Sequence, residues 1–399
     1  MRFLTVLLLF SYLAPRTSCL EIKAQKRTKY EFSRNLPVYA DSLLKDMTFP
    51  MAWGNSPVTD FNAWRQTARQ KVFDCMLTPP PPPPPRLTSH ATTPGASAPG
   101  YTLLHEEHRD GYTARKIEIP LSRYYTVPAY LLIPDGKGPF PAVNALHDHG
   151  AHLFIGKEKM IRPLACEDSV VLRDADEWAA QLYEGQFVGD YLARHGFVVF
   201  SADAPMWGER GQQEGPRRDR YDMIAGNMMM YGIDLSAYMT YDDLSGTAFL
   251  ASLPEVDATR IGCMGCSMGA YRAWMLAALS YHVKAGAAVC WMTTTADQMS
   301  FRYQRTENGG FANCFPGLRR WLDYPHVASL ACPKPMLFIN GLQDKLFHEA
   351  GVRQAFSIMH DVWQSQGADS LLETELWDIP HSCPLKAQER VLQFFKKRL

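Results

Sequence analysis

The stretch Arg260-Ile-Gly-Cys-Met-Gly-Cys-Ser-Met-Gly-Ala270 decides the fold. Its first half is a short apolar run that predicts a buried strand, and a helix is predicted to begin near Ala270. Between them lies a Gly-x-Ser-x-Gly pattern centred on Ser267, in the strand–turn–helix setting of an exposed nucleophile. The flanking glycines remove Cβ atoms that would collide in so sharp a turn. Ser267 is therefore the first candidate nucleophile.

Strand and helix patterns alternate on both sides of this stretch. The predicted strands cover residues 101–108, 113–120, 127–133, 140–146, 197–202, 260–264, 285–291, 334–340 and 371–379. The predicted helices cover residues 177–195, 234–253, 270–280, 348–366 and 385–399. The first three strands are expected to be antiparallel. The alternation after them predicts an α/β fold with a doubly wound, mostly parallel sheet.

Four segments are predicted along the chain. An apolar run from Phe3 follows one positive charge, which predicts a secretory signal peptide over residues 1–19 and an exported protein. Arg16 stands where a lipoprotein signal has an apolar residue, and this argues against lipid attachment at Cys19. Residues 20–78 are predicted to form a helical extension, with a helix capped by Asp60. A Pro-rich linker over 79–100 and a catalytic domain over 101–399 complete the chain.

Composition limits the partners. The 41 basic and 41 acidic residues cancel, so charge points to neither nucleic acid nor an anionic membrane surface. After the signal peptide, no stretch has the length and apolar composition of a transmembrane segment. Composition alone names no substrate, and the oligomeric state stays open.

A serine nucleophile needs a base, and the base needs an orienting acid. Asp344 follows the predicted strand 334–340, and His381 follows the last predicted strand. Asp378 is a rival acid near the histidine, and each of these residues could instead be an ordinary loop residue. The chain order Ser267, Asp344, His381, each after a predicted strand, is the order of α/β-hydrolases and predicts a catalytic triad.

With these residues the chain resembles the α/β-hydrolase superfamily from about residue 101 to its end. Within it, the chain looks most like secreted bacterial dienelactone-hydrolase-like and acetyl-xylan-esterase-like proteins. The resemblance implies a serine carboxylesterase that acts through an acyl-enzyme on carbohydrate-linked esters, without a cofactor. Two alternatives stay open: a serine peptidase of the same fold, and a non-catalytic carbohydrate-binding or scaffold protein on a hydrolase fold.

The oxyanion hole is expected to use the backbone N–H of Met268. By similarity to the His-Gly-x segment of the family, the second donor is Ala151 in the loop after strand 140–146. The same loop contains His147, His149 and His152 at metal-ligand spacing. However, a metallo-β-lactamase-type motif has Asp where this chain has Ala151. No metal site is therefore predicted, and His147 and His149 are expected to shape the substrate pocket by hydrogen bonding.

Two further features depend on the resemblance. The segment from Asp203 to Gly211 resembles an Asp-x-x-Gly-x-Gly-type segment of acetyl-xylan-esterase-like relatives. It makes Trp207 and Arg210 pocket candidates, with a purely structural role as the alternative.

Fungal glucuronoyl esterases are similar in placing a cysteine before the serine and pairing it near the histidine. By that resemblance, Cys266 and Cys383 are candidates for a disulfide, with burial as thiols as the alternative.

Overall fold

The computed structural model describes residues 30–33, 35–77, 100–150, 152–211, 218–301 and 310–399. The predicted signal peptide, almost all of the predicted linker and Ala151 lie outside these residues. The described strands are β1 (Phe32–Ser33), β2 (Leu36–Pro37), β3 (Thr102–Arg109), β4 (Tyr112–Pro120), β5 (Thr126–Pro134), β6 (Phe140–Leu146), β7 (Val198–Ala202), β8 (Val256–Cys266), β9 (Val283–Val289), β10 (Met336–Gly341) and β11 (Leu372–Trp377). The described α-helices are α1 (Ala40–Asp46), α2 (Phe61–Cys75), α3 (Ser169–Tyr183), α4 (Val188–Arg194), α5 (Arg218–Met230), α6 (Leu235–Ala251), α7 (Met268–Leu279), α8 (Thr295–Gln298), α9 (Tyr324–Ala328), α10 (Glu349–Ser365) and α11 (Leu385–Arg398).

A nine-stranded sheet has the order β11-β10-β9-β8-β6-β7-β5-β4-β3. Strands β6 to β11 pair in parallel, and the β3–β4–β5 meander joins this part antiparallel to β7. One apolar cluster contains side chains of α7 and α10, and a second contains side chains of α3, α4 and α11. The prediction of an α/β fold with a mostly parallel sheet is therefore confirmed.

The single helix predicted over residues 177–195 is wrong. The chain instead forms α3 and α4, with a break between Tyr183 and Val188. Glu184 has φ +53° and Gly185 has φ +77°, so both leave the right-handed helical region. The N–H of Gly185 donates to the carbonyl of Ala179 at 2.8 Å and closes α3. Because apolar residues recur at helical spacing on both sides of the break, the sequence pattern did not reveal that the helix ends there.

The helix predicted after Asp60 is confirmed as α2. The Asp60 side chain accepts a hydrogen bond from the N–H of Ala63 at 2.8 Å and caps the helix. Trp64, Ala68 and Val72 lie one turn apart and are buried in the same apolar cluster as α7. The described part of the predicted extension thus shares a core with the sheet. None of the described helices combines the length and the apolar composition needed to cross a bilayer.

We expect Trp64→Ala to lower the free energy of unfolding by about 3–5 kcal/mol, because it removes a large buried side chain. The side chain of Trp64 is 1% exposed, and its indole N–H donates to the carbonyl of Met51 at 2.8 Å. Gln66→Ala, at an exposed position of the same helix, should change the unfolding free energy by no more than about 0.5 kcal/mol. Urea denaturation measures both variants. Equal, small effects would contradict a shared core.

Candidate active site

The turn at Ser267 joins β8 to α7 and holds the serine in an unusual backbone conformation. Ser267 has φ +56° and ψ −126°, a region that L-residues rarely occupy. Its N–H donates to the carbonyl of Val289 at 2.9 Å, and its carbonyl accepts from the N–H of Ala270 at 2.9 Å. These bonds fix the turn to β9 on one side and to the first turn of α7 on the other.

The glycines of the turn permit a close backbone approach. A Cβ atom on Gly265 would lie 2.3 Å from the carbonyl carbon of Gly269. A Cβ atom on Gly269 would lie 2.0 Å from the carbonyl oxygen of Leu146, at the end of β6. Neither contact is sterically allowed. The sharp turn at Ser267 therefore requires glycine at both positions.

The structure brings the three predicted triad side chains together. His381 Nε2 lies 2.8 Å from Ser267 Oγ, and His381 Nδ1 lies 2.7 Å from Asp344 Oδ2. The side chain of Asp344 is fully buried, and its other oxygen accepts from the N–H of Leu346 at 2.8 Å. This arrangement can pass a proton from the serine hydroxyl to the imidazole and stabilise the imidazolium that forms.

The sheet explains why Asp344, and not its rival, meets the histidine. Asp344 follows β10, His381 follows β11, and these two strands pair in parallel. Asp378 is exposed and accepts a hydrogen bond from the side chain of Gln343 at 2.8 Å. In this structure Asp344, and not Asp378, is therefore the carboxylate hydrogen-bonded to His381.

The predicted oxyanion donors are only partly described. Met268 is the first residue of α7, so its backbone N–H belongs to the helix-initial donors that have no intrahelical acceptor. The positive end of the helix dipole lies at the same point. Ala151 lies outside the described residues, so its role as the second donor stays a prediction.

The loop after β6 is anchored by His147, which is fully buried. Its Nδ1 donates to the carbonyl of Asp148 at 2.9 Å, and its Nε2 accepts from the N–H of Ala204 at 3.0 Å. Burial holds the pKa of His147 well below its ordinary value, and the nearby cations Arg272 and Lys159 lower it further. A neutral imidazole therefore ties this loop to the loop after β7.

Arg272 anchors the same loop from α7, and the sequence analysis did not single it out. Its guanidinium donates to both carboxylate oxygens of Asp243, at 2.7 and 3.0 Å. A third donor, Nη1, reaches the carbonyl of His147 at 3.2 Å. An arginine inside an otherwise apolar helix was the available signal, because a buried charge needs a partner.

A second buried charge cluster holds the loop after β7, and its lysine was also missed. Asp203 accepts from the backbone N–H of Lys157 at 2.7 Å and from its Nζ at 3.0 Å. Burial raises the pKa of Asp203 to about 6, although Lys157 opposes the shift. Burial also disfavours the charged Lys157, but Asp203, Glu158 and Glu209 outweigh this and hold its pKa well above the ordinary value.

The remaining pocket candidates are placed as structural residues. Trp207 is buried, and its indole N–H donates to the carbonyl of His149 at 2.8 Å. The rings of His149 and Trp207 are in edge contact, with centroids 5.1 Å apart. Arg210 forms an ion pair with Asp242 at 2.7 Å and lies over the ring of Tyr125. These contacts hold the loop and leave the indole of Trp207 no exposed face for a ligand.

His149 and His152, two of the three histidines at metal-ligand spacing in the loop after β6, each contact a different group. His149 Nδ1 donates to the carbonyl of Gly150 at 2.9 Å, whereas His152 Nδ1 lies 2.7 Å from Asp174 Oδ1.

Cys266 and Cys383 lie side by side as thiols beneath the site. A hydrogen bond between the two thiols and burial hold the pKa of Cys266 well above its ordinary value. Their oxidation to a disulfide stays a prediction.

Cys290, which the sequence analysis did not single out, donates to the carbonyl of Ser382 at 3.3 Å. Its sulfur lies within 4.8 Å of ligand atoms of Asp344 and His381, so it supports the histidine loop from below.

This chain belongs to the Abhydrolase family, whose model matches residues 36–364. The resemblance to α/β-hydrolases is therefore confirmed, and family membership supports an enzyme of the hydrolase class. The match begins at β2, so it includes the helical segment that contains α2.

Individual relatives agree with this assignment. YtaP of Bacillus subtilis (strain 168), provisionally named as a hydrolase, is 28% identical over 267 residues, which is 66% of this chain and 81% of YtaP. A protein of Bacteroides fragilis NCTC 9343, provisionally named as an acetyl xylan esterase, has the same fold with a TM-score of 0.62 and 17% identity, over 88% of this chain and 84% of that one. A glucuronoyl esterase from Solibacter usitatus gives a TM-score of 0.59 and 14% identity, over 86% of this chain and 95% of that one.

The buried state of His147 predicts a pH dependence of stability. The folded protein keeps His147 neutral, whereas the unfolded chain protonates it below a pH of about 6.5. The unfolded state then binds more protons, so the free energy of unfolding falls as the pH decreases from about 7 to about 5. His147→Gln keeps an acceptor for Ala204 but cannot titrate, and should flatten this slope by up to about 1.4 kcal/mol per pH unit.

Urea denaturation at several pH values measures the slope. His108→Gln is the matched control, because His108 is exposed. An unchanged slope in His147→Gln, or an equal change in the control, would contradict the assignment of a neutral buried imidazole.

Proposed function

We propose that this protein is a serine carboxylic-ester hydrolase that acts through an acyl-enzyme. The observation that carries the proposal is the hydrogen-bonded chain from Ser267 through His381 to Asp344, at a strained turn before the N-terminus of α7. Unusual backbone geometry at a candidate nucleophile supports a functional role, since it costs folding free energy.

The geometry translates into a two-stage reaction. His381 removes the proton of Ser267 as the serine oxygen attacks the ester carbonyl, and buried Asp344 stabilises the resulting imidazolium. The N–H groups of Met268 and, by our proposal, Ala151 hold the negative oxygen of the tetrahedral intermediate. His381 then protonates the departing alcohol, which leaves an acyl group on Ser267. A water molecule then attacks the acyl carbonyl with His381 as the base, and the acid is released as Ser267 recovers its proton.

We extend the proposal to carbohydrate-linked esters as the substrate class. Its support is the fold shared with proteins named as acetyl xylan and glucuronoyl esterases, together with the sequence resemblance. The predicted signal peptide supports an exported enzyme, which would meet such polymers outside the cell. We keep residues 1–19 as a signal peptide and 79–100 as a linker in this proposal.

Ser267→Ala should abolish labelling by a fluorophosphonate probe and lower the turnover of p-nitrophenyl acetate by at least about 10⁴-fold, because it removes the hydroxyl that is hydrogen-bonded to His381. Ser382→Ala is the matched control, since this serine lies beside His381 but outside the hydrogen-bonded chain. It should keep labelling and most of its turnover. Labelling that persists in folded Ser267→Ala would contradict the proposed nucleophile.

Faster cleavage of a dipeptide anilide than of aryl acetates would favour a peptidase.

The two acids near the histidine give a second test. Asp344→Asn should lower kcat by roughly 10⁴-fold, because the imidazole loses its orienting carboxylate and the correct tautomer. Asp378→Asn removes an exposed carboxylate three residues before His381 that is bonded to Gln343 instead, and it should leave kcat within about twofold. Steady-state kinetics on both variants measure the difference. A larger loss in Asp378→Asn than in Asp344→Asn would overturn the assignment of the acid.

A further inference from the structure

Lys159 is a fully buried lysine beside the loop after β6, and no step of the proposed reaction uses it. It is the last residue of the 3-10 turn Lys157–Lys159, and its side chain has no exposed surface. Its Nζ donates to the carbonyl of His149 at 2.8 Å and lies 3.5 Å from the carbonyl of Asp148. The Oδ1 atom of Asp148 is 3.6 Å away. Because an ammonium group is costly to bury unless it is paired, these three groups set its position.

The carboxylate that pairs with Lys159 is itself held by α3. Asp148 Oδ2 accepts from the indole N–H of Trp178 at 3.1 Å and from the hydroxyl of Tyr183 at 2.7 Å. Lys159 Nζ also lies over the ring of Trp178, 5.2 Å from its centroid. Burial lowers the pKa of Lys159, and Asp148 opposes this shift. These contacts hold the ammonium group at a defined place behind the loop.

The ammonium group in turn fixes the direction of one peptide group of the loop. The carbonyl of His149 accepts from Lys159 Nζ and from the indole N–H of Trp207, both at 2.8 Å. In a trans peptide the N–H points opposite to the C=O, so the N–H of Gly150 is directed away from Lys159. Within the residues that the structure describes, this N–H has no acceptor. The loop therefore turns its carbonyls toward buried donors and an N–H toward the other side.

The loop passes so close to Lys159 that it requires glycine at position 150. Gly150 has φ +52°, and a Cβ atom there would lie 2.9 Å from Lys159 Nζ and 2.7 Å from the ring of Trp178. The same loop borders the serine turn, because the carbonyl oxygen of His147 lies 3.0 Å from the position that a Cβ atom on Gly269 would occupy. Residues 147–150 therefore connect Lys159 to the first turn of α7.

We infer that Lys159 is a positioning residue for ester hydrolysis, which holds the loop after β6 in the conformation that stabilises the oxyanion. The inference rests on the proposed function. Lys159 acts through the His149–Gly150 peptide, which leads directly into Ala151, the proposed second donor. An oxyanion donor is effective when it is fixed before the negative charge develops, because reorganisation during the reaction would cost the stabilisation that it provides.

Lys159→Met tests the inference, since it removes the charge and the donor but keeps an unbranched side chain. With p-nitrophenyl acetate, kcat should fall at least about tenfold and KM should stay within about threefold, because the loss falls on the transition state. The affinity for a trifluoromethyl ketone, whose adduct with Ser267 carries an oxyanion, should fall by the same factor as kcat/KM. Steady-state kinetics and inhibition constants measure both effects.

Lys334→Met is the matched control. Lys334 Nζ also donates to two backbone carbonyls, those of Ala277 at 2.7 Å and Ser280 at 2.6 Å, but it does so at the opposite end of α7 from Ser267. This variant loses a comparable structural contact. It should leave kcat and the affinity for the ketone within about twofold.

A double variant separates the kinetic effect from misfolding, because Lys159→Met alone leaves Asp148 buried without its cation. Lys159→Met with Asp148→Asn leaves no unpaired charge, and the amide oxygen can still accept from Trp178 and Tyr183. Circular dichroism verifies folding, and the double variant should show the same loss of kcat. Wild-type kcat in the folded double variant, equal losses in Lys159→Met and Lys334→Met, or a loss confined to KM would overturn the inference and leave the proposed function intact. A wild type without Ser267-dependent turnover would overturn both.

Discussion

Three stretches of backbone meet at Ser267 without room for a Cβ atom between them: the end of β6, the end of β8 and the start of α7. Gly265 and Gly269 allow this approach, and the positive φ of Ser267 follows from it. This contact sets the height of Ser267 above the sheet and directs the N-terminus of α7 toward the serine. The parallel pairing of β10 with β11 then places Asp344 and His381 at the same edge. The geometry of the proposed triad thus depends on a backbone contact.

Buried charges hold the facing loops in place. Arg272 links α7 to the carbonyl of His147, and Lys157 links the loop after β6 to Asp203 after β7. Such pairs add little net stability, since desolvation opposes their attraction, but they strongly disfavour any arrangement that separates the partners. Their contribution here is positional. They fix the loop that is proposed to supply the second oxyanion donor.

Sequence patterns were sufficient for the order of the strands from β3 to β11 and for the three side chains that meet at the turn, because both depend on local patterns and on strand ends. It was insufficient where one pattern has two structural outcomes. The apolar spacing through Glu184 continued across a break that only backbone conformation reveals. Trp207 and Arg210 could face a ligand or the protein, and their partners His149 and Asp242 could not be read from local patterns. Arg272, Lys157 and Cys290 were missed because their partners are distant in sequence.

In the proposed mechanism, Ser267 carries the acyl group during turnover. Rapid acid quenching during the hydrolysis of p-nitrophenyl acetate, followed by peptide mass spectrometry, tests it most directly. We expect an acetyl group on the peptide containing Ser267, present while substrate remains and lost when it is exhausted. Turnover without any acetylated peptide, or acetylation at a different residue, would contradict it.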